Sequence, residues 1–229
     1  MSDEPEITVQ SDEPSNAEAV FSRDFCYATI RKLRAEIDAT RDNARSAFLC
    51  FSIGWLFERH LDDVQQAATH YQEALSRDPD LIPAMRALRR RMLHQGNWTR
   101  YLELIDAELR GVKDRSARAQ LLVEKAEVLD IQLDDHEGAL AALERAREED
   151  PACIQALWCL EHLHRTHREE KELAETLDLI TEALPEGSLR HIARYEAARL
   201  REVALDDPVT AAEEYEAALF EVVGKSPRD

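Results

Sequence analysis

The tripeptide Leu-Asp-Asp occurs three times in this sequence at a constant separation of 72 residues, beginning at Leu61, Leu133 and Leu205. Alanines keep the same register around each copy. They are Ala67 and Ala74, then Ala139 and Ala146, then Ala211 and Ala218. A fixed period of this size is the sequence signature of an array of stacked structural units. The repeat therefore predicts a fold in which each unit buries its apolar face against the next.

Each 72-residue unit divides into two helical hairpins. The predicted helices are roughly 43–60, 63–77, 81–95, 97–110, 116–132, 135–148, 152–167, 169–184, 188–204 and 208–223. Asp62 and Asp134 are each followed three residues later by Gln or Glu, the capping-box pattern, and are predicted as N-caps. With only 6 Gly and 8 Pro in 229 residues, a turn-rich β sandwich or barrel is disfavoured.

The chain divides into four predicted segments. Residues 1–17 contain two Ser-Asp-Glu-Pro sequences and no base, and are predicted to be a disordered acidic tail. Apolar residues recur every three or four positions within 18–41, which predicts an amphipathic N-terminal capping helix. The repeat array occupies 42–223, and 224–229 is predicted to be a flexible C-terminus.

The charge balance bears on partners and compartment. With 47 acidic and 29 basic residues the net charge is −18, which disfavours nucleic acid and an anionic membrane surface. No apolar run is long enough to insert into a membrane. The four cysteines show no CxxC pairing, so we expect reduced thiols and a cytoplasmic protein. Arginines outnumber lysines 24 to 5, which indicates a GC-rich genome and a bacterial source.

The hairpins resemble the tetratricopeptide repeat (TPR), a helical hairpin of about 34 residues. The resemblance covers roughly residues 43–222 and rests on Ile53-Gly54, Phe57, Ala67, Tyr71, Ala74 and Asp78-Pro79, followed by Leu88, Met92 and Gln95-Gly96-Asn97-Trp98. Hairpins around the three Leu-Asp-Asp sequences are one residue longer than usual, and those between them are degenerate. The resemblance implies an all-α fold, a right-handed α-solenoid of about five TPR-like hairpins with an N-terminal capping helix.

In resembling proteins the first helix of each hairpin lines a concave groove that holds a peptide or helix of a partner. Mapped here, the candidate partner-binding residues are Phe51, Trp55, Arg86, Arg90, His94, Glu127, Trp158, His162, Tyr195 and Arg199. Two alternatives remain open. The arginines between 86 and 100 form either a solvated face or an anchor for an acidic peptide. The seven aromatic residues before residue 60 either fill the first core or line one end of the groove.

Sequence motifs for chemistry are lacking. His162, His164 and His167 cannot all face one metal from a single helix, so no metal site is assigned and no cofactor is expected. No Walker loop, HExxH, GxSxG or GxGxxG occurs, and an enzyme is not expected.

The resemblance and the missing motifs together imply a noncatalytic protein–protein interaction scaffold or adaptor. The alternative is a chaperone-like or regulatory module that masks an acidic or apolar segment of one client protein. The apolar helix 208–223 could also mediate self-association.

Overall fold

A computed structural model describes the backbone of residues 22–223 and the side chains of 22–220. The predictions for 1–17 and 224–229 lie outside these residues. All regular elements within the described range are helical, which confirms the all-α prediction. The described residues fall into two compact units, 22–95 and 96–223.

Unit 1 contains four α-helices. They are α1 (Arg23–Ala39), α2 (Asn43–Leu56), α3 (Val64–Arg77) and α4 (Ile82–Gln95). A π-helical turn, Phe57–Leu61, extends α2. Helix α1 lies within the predicted capping segment 18–41 and packs on α2, α2 pairs with α3, and α3 packs on α4.

Unit 2 contains seven helices. They are α5 (Trp98–Gly111), α6 (Arg115–Leu133), α7 (His136–Glu149), α8 (Ile154–His167), α9 (Glu170–Ala183), α10 (Ser188–Val203) and α11 (Pro208–Val223). Each packs against the next in sequence, and α6 also contacts α8. In the described part of the chain, no helix is long and apolar enough to cross a membrane.

The Leu-Asp-Asp sequences form one recurring turn between paired helices. The first aspartate of each is left-handed, with φ of 55° at Asp62 and 53° at Asp134 and Asp206. The second is the N-cap of the following helix; Asp63, for example, accepts from the Gln66 amide at 3.0 Å. The N-cap prediction at Asp62 and Asp134 was therefore wrong by one residue, because the preceding helix must end on a left-handed residue before the next can begin.

The same turn accounts for the extra residue of these hairpins. The amides of Asp63, Asp135 and Asp207 donate to carbonyls six residues earlier. A standard Schellman turn spans one residue less, as at the end of α8, where the Glu169 amide donates to the His164 carbonyl. The wider turn accommodates one additional residue, and at the end of α2 it coincides with the π-helical turn Phe57–Leu61.

Small residues lie where paired helices approach most closely. The six alanines of the repeat are all buried, as are Ala126 and Ala198. Gly54 in unit 1 lies 72 residues before Ala126 and is its counterpart in the first repeat. A Cβ at Gly54 would lie 2.7 Å from Cε1 of Tyr71. In unit 1, Cys50, Ala74 and Ala84 form a buried cluster that joins α2, α3 and α4. In unit 2, a buried cluster joins α8, α9 and α10, and its members are Leu157, Leu173, Leu177, Ile180, Ala193 and Ala197.

Candidate functional site

Five of the candidate partner-binding residues lie in unit 1. Phe51 is half-buried on α2, whereas Trp55 on the same helix is exposed. Arg86, Arg90 and His94 are exposed one turn apart along α4. Arg90 Nη2 lies 3.3 Å from Glu58 Oε1, so this arginine has an acidic neighbour from the α2–α3 hairpin.

Aromatic residues in unit 1 are less buried than a filled core would require. Of the six that the structure describes before residue 60, Phe57 is buried and Phe51 is half-buried against Tyr71, with ring centroids 5.5 Å apart. The other four are exposed, and they are Phe25, Tyr27, Phe48 and Trp55. The interpretation of this set as a first core therefore applies to Phe57 and part of Phe51.

In unit 2, three candidate residues meet in one groove. Glu127 on α6 and Trp158 and His162 on α8 line a depression of about 260 Å³. Its floor is apolar because Ala126, Leu143 and Leu163 form it, and all three are buried. Ile131, which is 71% exposed, and Trp158, which is 38% exposed, present apolar surface at its edge. We call this depression the α6–α8 groove.

The remaining two candidates line separate depressions in unit 2. Tyr195 on α10 lies beside Ile192, Tyr215 and Leu219 in a shallow apolar depression. Its ring is 5.3 Å from that of Tyr215, and both Leu219 and Tyr195 are about half exposed. Self-association through 208–223 stays a prediction for this surface. Arg199 lines a third, more polar depression with Arg165 and Glu196.

Two of the cysteines, Cys50 and Cys159, are not activated as nucleophiles. Burial, followed by the charge of Glu127, raises the pKa of the Cys159 thiol to about 11. Burial, followed by the charge of Glu73, also raises the pKa of Cys50. Both thiols are therefore protonated at neutral pH, and a protonated thiol is a poor nucleophile.

No protein-family model matches this sequence, and no curated protein matches it significantly. Solved structures do match its fold. YrrB, a TPR protein with an unusual peptide-binding site, superposes with a TM-score of 0.50 at 17% identity, covering 84% of this chain and 93% of its own. A tetratricopeptide repeat protein from Parabacteroides merdae superposes with a TM-score of 0.51 at 16% identity, covering 90% of this chain and 77% of its own. MamA superposes with a TM-score of 0.50 at 17% identity, covering 76% of this chain and 91% of its own.

The chain has a TPR-like fold. This confirms the resemblance derived from the alanine register and the Asp-Pro helix ends. In the TPR-like hairpins of unit 2, the candidate residues all come from first helices, namely α6, α8 and α10. Likeness of fold leaves the ligand open, because one fold carries many functions.

Sequence reasoning missed a cluster of histidines and carboxylates beside the α6–α8 groove. The spacing along α8 relates His164 and His167 only to each other and to His162. The structure brings Asp130 and His136 from the neighbouring TPR-like hairpin to His167, and Glu169 to His164. One feature of the sequence could have drawn attention to this place. Leu143 lies at the position where the first and third 72-residue repeats have tyrosine.

Proposed function

We propose that this TPR-like protein is a noncatalytic adaptor that binds a peptide or helix of a partner protein in the α6–α8 groove. The observation that carries the proposal is the exposed apolar surface of Trp158 and Ile131 beside a buried apolar floor. A partly exposed tryptophan at a concave apolar site is the type of residue that dominates protein–protein binding energies. The peptide-binding site of YrrB, which has a similar fold, is consistent with this class of ligand.

Charges at the edge of the groove narrow the ligand class. Glu127 and Asp130 both line it, one turn apart on α6. His162 faces them from α8 and can accept or donate a hydrogen bond. The groove therefore favours a segment that has one aromatic or aliphatic anchor and a basic residue close to it.

A peptide selection followed by calorimetry tests this function. Peptides selected from a random display library on the full chain are titrated into wild type, Trp158→Ala and Leu189→Ala. Leu189 is 60% exposed and does not line the groove, so it is the matched control. We expect Trp158→Ala to weaken binding by about tenfold or more, with the control unchanged. Equal affinity in wild type and Trp158→Ala would exclude the groove as the binding site.

We infer a second contact surface on α4 of unit 1, formed by Arg86, Arg90 and His94, with Trp55 and Phe51 on α2. Guanidinium groups one turn apart suit a run of carboxylates. The double variant Arg86→Glu/Arg90→Glu should abolish binding of an acidic peptide while leaving binding at the α6–α8 groove intact. Unchanged affinity for the acidic peptide would show that these arginines are only a solvated face.

A further inference from the structure

Five side chains from consecutive elements of unit 2 meet beside the α6–α7 turn. We call them the histidine cluster, and they are Asp130, His136, His164, His167 and Glu169. One ligand-type atom from each of Asp130, His136 and His167 lies within 4.8 Å of the corresponding atoms of the other two. Asp130 and His136 are half-buried and His167 is exposed, so the cluster is open to solvent on one side.

Two left-handed residues bring these side chains together. Asp134, with φ of 53°, turns the chain so that His136 at the start of α7 returns towards Asp130 on α6. Arg168, with φ of 59°, ends α8, and the Glu169 amide donates to the His164 carbonyl at 2.9 Å. The cluster is therefore fixed by backbone turns rather than by flexible loops.

Glu169 links two of the histidines. Its Oε2 lies 2.7 Å from Nδ1 of His164, and its Oε1 lies 3.4 Å from Nε2 of His136. Because an ionised carboxylate only accepts, the facing nitrogens of both histidines must carry the protons.

This assignment leaves a lone pair on Nδ1 of His136. That atom is buried and has no hydrogen-bond partner among the described residues. The His136 ring also stacks on that of His167, with centroids 3.5 Å apart and planes 24° apart. Because an imidazole lone pair lies in the plane of its ring, one of the two stacked rings must rotate before both can bind the same ion, and His167, which is exposed at the end of α8, is free to do so.

We propose that Asp130, His136 and His167 form a binding site for a divalent transition-metal ion, and that zinc is the ion that it fits best. Two imidazoles and one carboxylate are a ligand set that zinc takes in proteins, with a fourth position open to water. Glu169 has the position of an outer-shell carboxylate, since metal-ligating histidines usually donate their other N–H to such a group. A bound ion would join α6, α7 and α8 and would neutralise Asp130 at the edge of the α6–α8 groove.

The 72-residue register explains why this site arises only once among the described residues. Asp130 corresponds to Glu58 and Glu202, which accept from the hydroxyls of Tyr71 and Tyr215. Leu143 replaces the tyrosine in the middle unit, so no hydroxyl is available there for Asp130. His136 corresponds to Val64 and Pro208, neither of which can bind a metal.

Calorimetric titration of the full chain with zinc chloride tests the proposal. The protein carries no histidine tag and is treated with a chelator first, and no peptide is present, so that the result is independent of the proposed adaptor function. Wild type is compared with His167→Ala, Asp130→Asn and Glu169→Gln. His162→Ala is the matched control, because His162 is exposed on the same helix but lies outside the cluster.

We expect wild type to bind one equivalent of zinc and to melt at a higher temperature when zinc is present. His167→Ala and Asp130→Asn should weaken zinc binding by more than tenfold, and Glu169→Gln by about tenfold, the usual effect of losing an outer-shell partner. His162→Ala should bind as wild type does.

The proposal is overturned if wild type shows no saturable binding of one equivalent. It is also overturned if His167→Ala keeps wild-type affinity, or if His162→Ala loses as much as His167→Ala. Circular dichroism of the metal-free variants distinguishes a lost ligand from a lost fold. His167 is exposed at a helix end, so its replacement should leave the fold intact.

Discussion

The hydroxyl of Tyr71 donates to a carboxylate oxygen of Glu58, 2.5 Å away, across the α2–α3 hairpin. Burial, followed by this hydrogen bond, raises the pKa of Tyr71, so the phenol stays protonated as a donor. The third repeat unit contains the same contact, from Tyr215 to Glu202 at 2.9 Å. This hydrogen bond is thus a feature of the first and third repeats. The middle repeat has Leu143 and Asp130 at the corresponding positions, and its Asp130 belongs to the histidine cluster.

Packing around Tyr71 gives the first prediction. Gly54→Ala would place a methyl group 2.7 Å from the tyrosine ring and 3.0 Å from the Ala67 carbonyl, so we expect a loss of about 1–3 kcal/mol. The equivalent pair in the middle unit is Ala126 with Leu143. Tyr71→Leu should therefore recover part of the loss caused by Gly54→Ala, and urea denaturation of both single variants and the double variant measures the coupling. Additive effects would contradict it.

The two aspartates of the recurring turn should respond in opposite ways. Asp63→Ala removes the side chain that accepts from the Gln66 amide and should cost about 1 kcal/mol. Asp62→Gly relieves a left-handed backbone and should leave stability unchanged or raise it by up to about 1 kcal/mol. Thermal unfolding of the two variants compares them directly. Equal losses at both positions would show that the turn depends on carboxylate charge rather than on conformation.

The sequence was sufficient to predict the helices and their pairing because small residues recur at a fixed period. The sequence was insufficient to assign the N-cap at the Leu-Asp-Asp turn. Asp62 and Asp63 are the same residue type, and only their backbone conformations distinguish the end of one helix from the start of the next. The α6–α8 groove was partly predictable, because Glu127, Trp158 and His162 follow from helical register. The histidine cluster was not, since His136 and His167 are brought together by the stacking of two hairpins and not by spacing along one helix.

A partly buried ion network that joins α9 to the last hairpin should contribute to stability. Arg201 is 13% exposed; its guanidinium contacts Asp178 and lies 2.5 Å from Glu214. Arg201→Met would leave two carboxylates without their shared cation and should cost about 2–3 kcal/mol. Arg199→Met, at an exposed position on the same helix, should cost less than about 0.5 kcal/mol. Urea denaturation measures both, and equal losses would contradict a role for the network.

His70 should make unit 1 less stable in mild acid. The imidazole ring of His70 stacks on Phe57, with ring centroids 5.6 Å apart. Its Nε2 lies 3.3 Å from Nη2 of Arg34, and its Nδ1 lies 3.2 Å from Oε2 of Glu73. Burial lowers the pKa of His70 despite the opposing effect of Glu73. The unfolded chain therefore binds a proton first as the pH falls below about 6.5, and stability is lost through that range.

The matched variant for this prediction is His70→Gln, which keeps a polar side chain but cannot titrate. We expect the free energy of unfolding of wild type to fall faster than that of the variant between pH 7.5 and 5.5. The added slope is at most about 1.4 kcal/mol per pH unit, since a single proton is involved. Urea denaturation at several pH values measures this difference. Parallel pH profiles would show that His70 has the same pKa in the folded and unfolded chains.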